Sequence, residues 1–200
     1  MIEAIIFDFG DIFINLNKDA MKNAFNSLGL KEWNDEMKEL NLAFEVGKIS
    51  EEKFLSGLQK HIPNASMETI KKNWNAILMD FPLYRLEFLQ MLSQKHRLFL
   101  LSNTDSIHIQ HFEETVGESF YSNFYQCFEK VYFSFELGMR KPNEDIYNYV
   151  LQKHNLSPKR TLFVDDKKEN TDSALKLGIQ VWNLQVGQED VVDLFDKKLL

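Results

Sequence analysis

The sequence predicts an α/β fold: a mostly parallel sheet with helices on both faces, interrupted by an inserted all-helical unit. Three observations predict it. Short apolar runs ("EAIIFD", "RLFLLSN", "VYFSFE", "TLFVDD", "IQVWNL") alternate with amphipathic stretches of helical period. The runs are apolar nearly throughout rather than alternating, as expected of strands covered on both faces. Between residues 17 and 81 no such run occurs.

Residues 2–9 read as the first strand, a short β-branched apolar run. Four helices follow without a strand. "DAMKNAFNSL" closes at Gly29, a C-cap signal, and "DEMKELNLAF" comes next. Ser50, ahead of Glu51 to Lys53, caps "EEKFLSGLQKH", which ends before Pro63; the fourth helix is "METIKKNWNAIL". After Pro82 the rhythm changes. The helix "LYRLEFLQMLSQKH" leads into "RLFLLSN", and "NEDIYNYVLQKH" and "DSALKLG" separate the later strands. The expected division is an α/β core of residues 1–16 and 82–200, with a helical insertion of residues 17–81.

Composition narrows the function classes. At 44% hydrophobic residues, the 200-residue chain can build a substantial core. A net charge of −7 argues against a broad basic face for nucleic acid. The N-terminus lacks a basic n-region, and no apolar run approaches the roughly 18 residues of a membrane span. A single cysteine, Cys127, makes neither an internal disulfide nor a cysteine-rich metal site. These features fit a cytoplasmic protein, monomeric or a small homo-oligomer, acting on a small molecule.

The strands end on polar residues. "IIFD" ends on Asp8, "LFLLSN" on Ser102 and Asn103, and "TLFVDD" on Asp165 and Asp166. Ligands of open parallel sheets bind outside the carboxyl ends of the strands, so these groups share one rim. "LGMRKPNED" adds Lys141, followed by Pro142 at the expected first turn of a helix whose N-terminus favours an anion. Three carboxylates repel one another unless a cation joins them, and hard oxygen ligands suit Mg²⁺. A carboxylate beside a bound phosphoryl group is a competent nucleophile.

"FDFGD", "LLSNTD", "GMRKP" and "FVDDKKEN" resemble, in order, the four motifs of the haloacid dehalogenase-like hydrolase superfamily. The helical insertion after the first motif resembles the cap of its IA subfamily, and the chain is most similar there to alpha-D-glucose-1-phosphate phosphatases. The resemblance implies a Rossmann-like three-layer core with a helical cap, and a Mg²⁺-dependent phosphatase acting through a phospho-aspartate. Asp8 would be nucleophile and metal ligand, the Gly10 carbonyl a second ligand, Asp166 a direct ligand, and Asp165 a direct or water-mediated one. Ser102, the Asn103 amide and Lys141 would bind the phosphoryl group. "FEVGKIS" would bring Phe44, Glu45 and Lys48 over the rim.

One departure stands out. Most phosphatases of this superfamily carry an acid–base aspartate two residues after the nucleophile, where this chain has Gly10. Strand alternation turns Asp11 to the face opposite Asp8, so it replaces that acid only if the chain turns there. General acid–base help is worth about 10²–10⁴-fold. Its absence fits a leaving group that needs little help, such as a sugar's anomeric oxygen, or a phosphometabolite-binding protein with little turnover. A 2-haloacid dehalogenase would have no use for the Asp165–Asp166 pair. A phospho-receiver domain would carry its acidic pair early in the chain rather than late. His108 and His111 lack an evident third metal ligand and read as an exposed helix surface.

Overall fold

The computed structural model describes residues 1–200. Five strands form one sheet: β1 (Ala4–Phe7), β2 (Arg97–Ser102), β3 (Lys130–Phe133), β4 (Thr161–Asp165) and β5 (Gln180–Asn183), in the order β3-β2-β1-β4-β5. Every neighbouring pair is parallel. Register places Phe7 beside Leu100 on one side and Val164 on the other, so the carboxyl ends of β1, β2 and β4 lie on one edge of the sheet, β2 running two residues further and β4 one.

Alternation along β1 explains the layers. Ile5 and Phe7 join Leu98, Leu100, Leu162 and Val164 in one core, and Ala4 and Ile6 join Phe99, Leu101 and Phe163 in another. Both faces are therefore covered, which gives three layers. The first face is packed by α5 (Leu83–Leu92), α6 (Ser106–Val116) and α7 (Glu118–Gln126), which contribute Phe88, Phe112 and Phe124 to that core. The second face is packed by α9 (Glu144–Lys153) and α10 (Lys168–Lys176), through residues such as Ile146, Val150 and Ala174; the short α8 (Ser134–Leu137) comes before α9 in the chain.

The segment between β1 and β2 is helical before α5: α1 (Lys18–Ser27), α2 (Asp35–Glu45), α3 (Glu51–Gln59) and α4 (Met67–Trp74). Each has a side-chain N-cap, from Asn17, Asn34, Ser50 and Ser66 respectively. Their apolar faces share a core of Phe25, Met37, Phe44, Phe54, Leu58 and Ile70, which also receives Ile107 from α6. The two connections to this unit pair with each other: Met79 N–H donates to the Asn15 carbonyl, and Asn15 N–H to that of Asp80. Arg85 ties this ribbon down, donating to the Phe13 carbonyl, Asn15 Oδ1 and Asp190. No helix is long and apolar enough to cross a membrane.

Three local expectations change. The first strand is Ala4–Phe7 rather than residues 2–9, because the chain turns immediately after Asp8. "VYFSFE" is strand only to Phe133, after which Ser134 begins α8. Pro142 is not in a first turn: α9 begins at Glu144 with Asn143 as its N-cap.

Candidate active site

Asp8 leaves β1 still in the sheet, its N–H donating to the Val164 carbonyl at 2.9 Å. Phe9 then turns inward, and its carbonyl accepts from both Phe13 and Ile14. No hydrogen bond uses the Gly10 carbonyl. Asp11 takes φ +59°, the left-handed region tolerated best by Gly, Asn and Asp. Its Oδ1 accepts from Leu16 N–H at 3.1 Å, closing the loop on itself. The alternation argument therefore fails for Asp11: it lies beyond the strand, in a turn, and lines the same cavity as Asp8.

Lys141 lies under this loop, 1% exposed, with Nζ 2.8 Å from Asp8 Oδ1 and 2.7 Å from Asp165 Oδ2. Asn103 holds the lysine's backbone in a reciprocal pair: Lys141 N–H donates to Asn103 Oδ1 at 2.9 Å, and Asn103 Nδ2 to the Lys141 carbonyl at 2.8 Å. Asp165 is fully buried, and it also accepts from Lys167 N–H and from Asn170 Nδ2. Ser102 is buried at the end of β2 and its hydroxyl makes no hydrogen bond within the chain, and the Asn103 backbone N–H is likewise uncommitted. Asp8, Ser102, Asn103 and Asp166 line a cavity of about 230 Å³, whereas Lys141 and Asp165 lie behind its wall.

The electrostatics are those of a crowded anionic pocket. Burial is the largest influence on Asp8; Lys141 opposes it and Asp165 reinforces it, and the balance pushes the carboxyl up to about 6. Asp166 is also raised, by burial and then by Asp165. Lys141 stays protonated despite burial, because Asp165 and Asp8 raise its affinity for the proton. One oxygen from each of Asp8, Asp165 and Asp166 lies within 4.8 Å of the others. A hard-oxygen set with unneutralised charge fits Mg²⁺, and the free Gly10 carbonyl is a further oxygen donor on the same loop.

The rim groups named from sequence thus come together, although Lys141 reaches Asp8 and Asp165 from behind rather than from a helix N-terminus. In the insertion, Glu45 lines the cavity, Phe44 is buried in the helical core, and Lys48 is not in the cavity wall. Glu45 pairs with Arg140 at 2.6 Å, and its carbonyl accepts from Ser134 Oγ at 2.7 Å. Pattern reading missed Trp74, Asp105 and His108. These also line the cavity, and the His108 side chain is only 15% exposed rather than on an open helix surface. Asp105 caps α6, its Oδ1 accepting from His108 N–H at 3.0 Å.

The chain is similar to known proteins over most of its length. D-ribitol-5-phosphate phosphatase of Bacteroides thetaiotaomicron is 28% identical over 197 residues, spanning 94% of this chain and 95% of that protein. The sesquiterpene phosphatase AstK of Aspergillus oryzae is 24% identical over 185 residues, spanning 88% and 87%. The magnesium complex of a HAD family enzyme from Bacteroides thetaiotaomicron superposes with a TM-score of 0.88 at 31% identity, covering 97% of this chain and 98% of that one. That enzyme has also been crystallised with magnesium and inorganic phosphate, as wild type and as an aspartate-to-alanine variant. Residues 5–184 match the model of the haloacid dehalogenase-like hydrolase family, and the chain belongs to that family.

Proposed function

We propose that this protein is a phosphatase that hydrolyses a small phosphate monoester, a sugar or sugar-alcohol phosphate, through a phospho-aspartate on Asp8. The observation that carries the reading is the convergence of Asp8, Asp165 and Asp166 beside two uncommitted donors, Ser102 Oγ and the Asn103 N–H. Those donors suit phosphoryl oxygens. A dehalogenase would have no need of the acidic pair.

Asp8, Asp165, Asp166 and the Gly10 carbonyl would hold Mg²⁺, which when bound supplies charge neutralisation to the phosphoryl group. Lys141 holds Asp8 Oδ1 at 2.8 Å, leaving Oδ2 as the attacking atom. That oxygen forms a bond to phosphorus as the ester P–O bond breaks, and the leaving oxygen takes a proton from solvent water, no acid standing at Gly10. Water then attacks the phospho-aspartate, releasing phosphate and restoring Asp8. Residues 17–81 serve as a cap over the rim, through Glu45 and Trp74.

The cavity volume of about 230 Å³ is below the roughly 300–1,000 Å³ of pockets for drug-sized ligands, which suits an ester of few carbons. The similarity to a ribitol-phosphate phosphatase supports a sugar alcohol as the leaving group. A sugar 1-phosphate is the other member of this class. A screen of phosphorylated metabolites for released phosphate, with Mg²⁺ and with chelator, tests the reading. Release from sugar or polyol phosphates that stops with chelator is expected. No release from any ester would overturn it.

A further inference from the structure

His108, on α6, forms part of the cavity wall, and its ring is held from two sides. It stacks on Trp74 of α4, with centroids 5.1 Å apart and planes 18° from parallel. Its Nδ1 lies 3.0 Å from Asn75 Oδ1, an acceptor, so Nδ1 carries the proton. Nε2 is then a lone-pair acceptor, and no hydrogen bond within the chain uses it. The nearest acid, Asp105 Oδ2, is 3.9 Å away and already accepts from Trp74 Nε1 at 3.0 Å. The other Asp105 oxygen caps α6 by accepting from His108 N–H at 3.0 Å. A stacked aromatic pair, Trp74 buried and His108 partly so, therefore presents one unclaimed acceptor to the same cavity as the nucleophile.

The surroundings define what it can accept from. Burial lowers the proton affinity of His108 more than Asp105 and Glu45 raise it, so the ring is neutral. Asp105 and Glu45 stand beside it in the cavity wall, and both disfavour a second negative charge. Isoleucine and leucine side chains, Ile14, Leu16, Ile77 and Leu78, supply apolar contact for C–H groups. We propose that His108 is a specificity-determining residue whose Nε2 accepts a hydrogen bond from a hydroxyl of an uncharged, polyhydroxylated leaving group. The inference rests on the phosphatase reading and adds to it the group that distinguishes polyol esters from simple alkyl or aryl esters.

The test compares ribitol 5-phosphate, pentyl phosphate and phenyl phosphate on wild type, His108→Asn and His108→Gln. Asparagine keeps a donor near the Nδ1 position but removes the acceptor; glutamine reaches the Nε2 position with an amide oxygen. One neutral hydrogen bond is worth about 2- to 12-fold. In His108→Asn, KM for ribitol 5-phosphate should rise by about that factor, and the kcat/KM preference for ribitol over phenyl phosphate should fall by the same factor. His108→Gln should restore most of the preference. A purely structural role would lower kcat/KM for all three esters in parallel in both variants, and that result overturns the proposal. Should His108→Asn not fold, wild type still decides: equal kcat/KM for ribitol 5-phosphate and pentyl phosphate would overturn it. Phenyl phosphate separates the two failures. Its hydrolysis with an unchanged preference sinks only the His108 assignment, whereas no hydrolysis of any ester sinks the phosphatase reading with it.

Discussion

Replacing Asp8 with asparagine should make the ion-free protein more stable while abolishing phosphate release. Folding raises the Asp8 carboxyl from 3.8 to about 6, chiefly by burial, and the opposing pull of Lys141 is already in that balance. The native state therefore binds this proton more tightly than the unfolded chain does. The site's stabilisation is complete below about pH 4 and is lost as pH rises through about 6. A shift of about two units corresponds to about 3 kcal/mol, which ion-free wild type has forfeited by pH 8. Asparagine is a neutral near-isostere and escapes that cost. At about 2–4 °C per kcal/mol for a chain of this size, its Tm at pH 8 in chelator should exceed wild type by about 6–12 °C. The difference should vanish near pH 4. Excess Mg²⁺ should narrow it, since occupancy at about 100 times Kd returns about 2.7 kcal/mol to a competent site. Thermal melts by circular dichroism at pH 4, 6 and 8, with chelator and with Mg²⁺, measure all of this, alongside a phosphate-release assay. A variant no more stable than wild type at pH 8 in chelator would refute the electrostatic reasoning. Substantial activity in the folded variant would refute the nucleophile.

Asp166→Ala should raise the Mg²⁺ concentration for half-maximal activity by more than about tenfold, because affinity at hard-cation sites follows the count of charged ligands; a magnesium titration of turnover checks it. Lys141→Ala should lower kcat by about 10²–10³-fold and cost about 3–5 kcal/mol in chelator, since it strands Asp8 and fully buried Asp165 without their shared cation. Kinetics at saturating Mg²⁺ and chemical denaturation separate the two effects. Gly10→Asp should fold, because Gly10 is not among the glycines with positive φ and its added Cβ meets only the flexible end of Leu16, at 2.8 Å from Cδ1. With the new carboxyl protonated, hydrolysis of alkyl esters should rise by up to about 10²-fold and that of activated aryl esters by much less. An equal slowing of both classes would show that Gly10 serves the loop's packing instead.

What was legible in the sequence is what depends on neighbours along the chain. Apolar runs ending on Asp8, Ser102 and Asp165 mark the strands and, because parallel strands put their carboxyl ends on one edge, one rim. Ser50 was legible as a cap because its hydroxyl bonds the N–H of Lys53, three residues on. The hydrophobic insertion core was legible as helices, though not as a surface that borrows Ile107 from α6. What pattern could not supply was the point at which a pattern stops. The alternation rule was extended past Phe7 to Asp11, where the backbone had already turned into the left-handed region, and it placed that side chain on the wrong face.

His108 shows why the cavity's far wall stayed hidden. Its exposure depends on Trp74 and Asn75, more than thirty residues away on another element, so helical spacing around "HIQH" could not report it. Lys141 itself was legible, but its pairing with Asp8 and Asp165 was not, because they flank it in space and lie far off in sequence. These long-range contacts also tie the insertion to the chemistry. Glu45 bonds Arg140, the residue before Lys141, and through its carbonyl bonds Ser134, whose hydroxyl accepts from the N–H of Thr104 beside Asn103. One residue of the insertion thus bonds Arg140 and Ser134 directly, and through Ser134 reaches the loop of Asn103 and Thr104. Asp105 holds Trp74 of the insertion with one oxygen and caps α6 with the other. Displacing the insertion would therefore loosen groups on the core side of the cavity as well as open it, so the site described here is a property of the two units in contact rather than of the sheet alone.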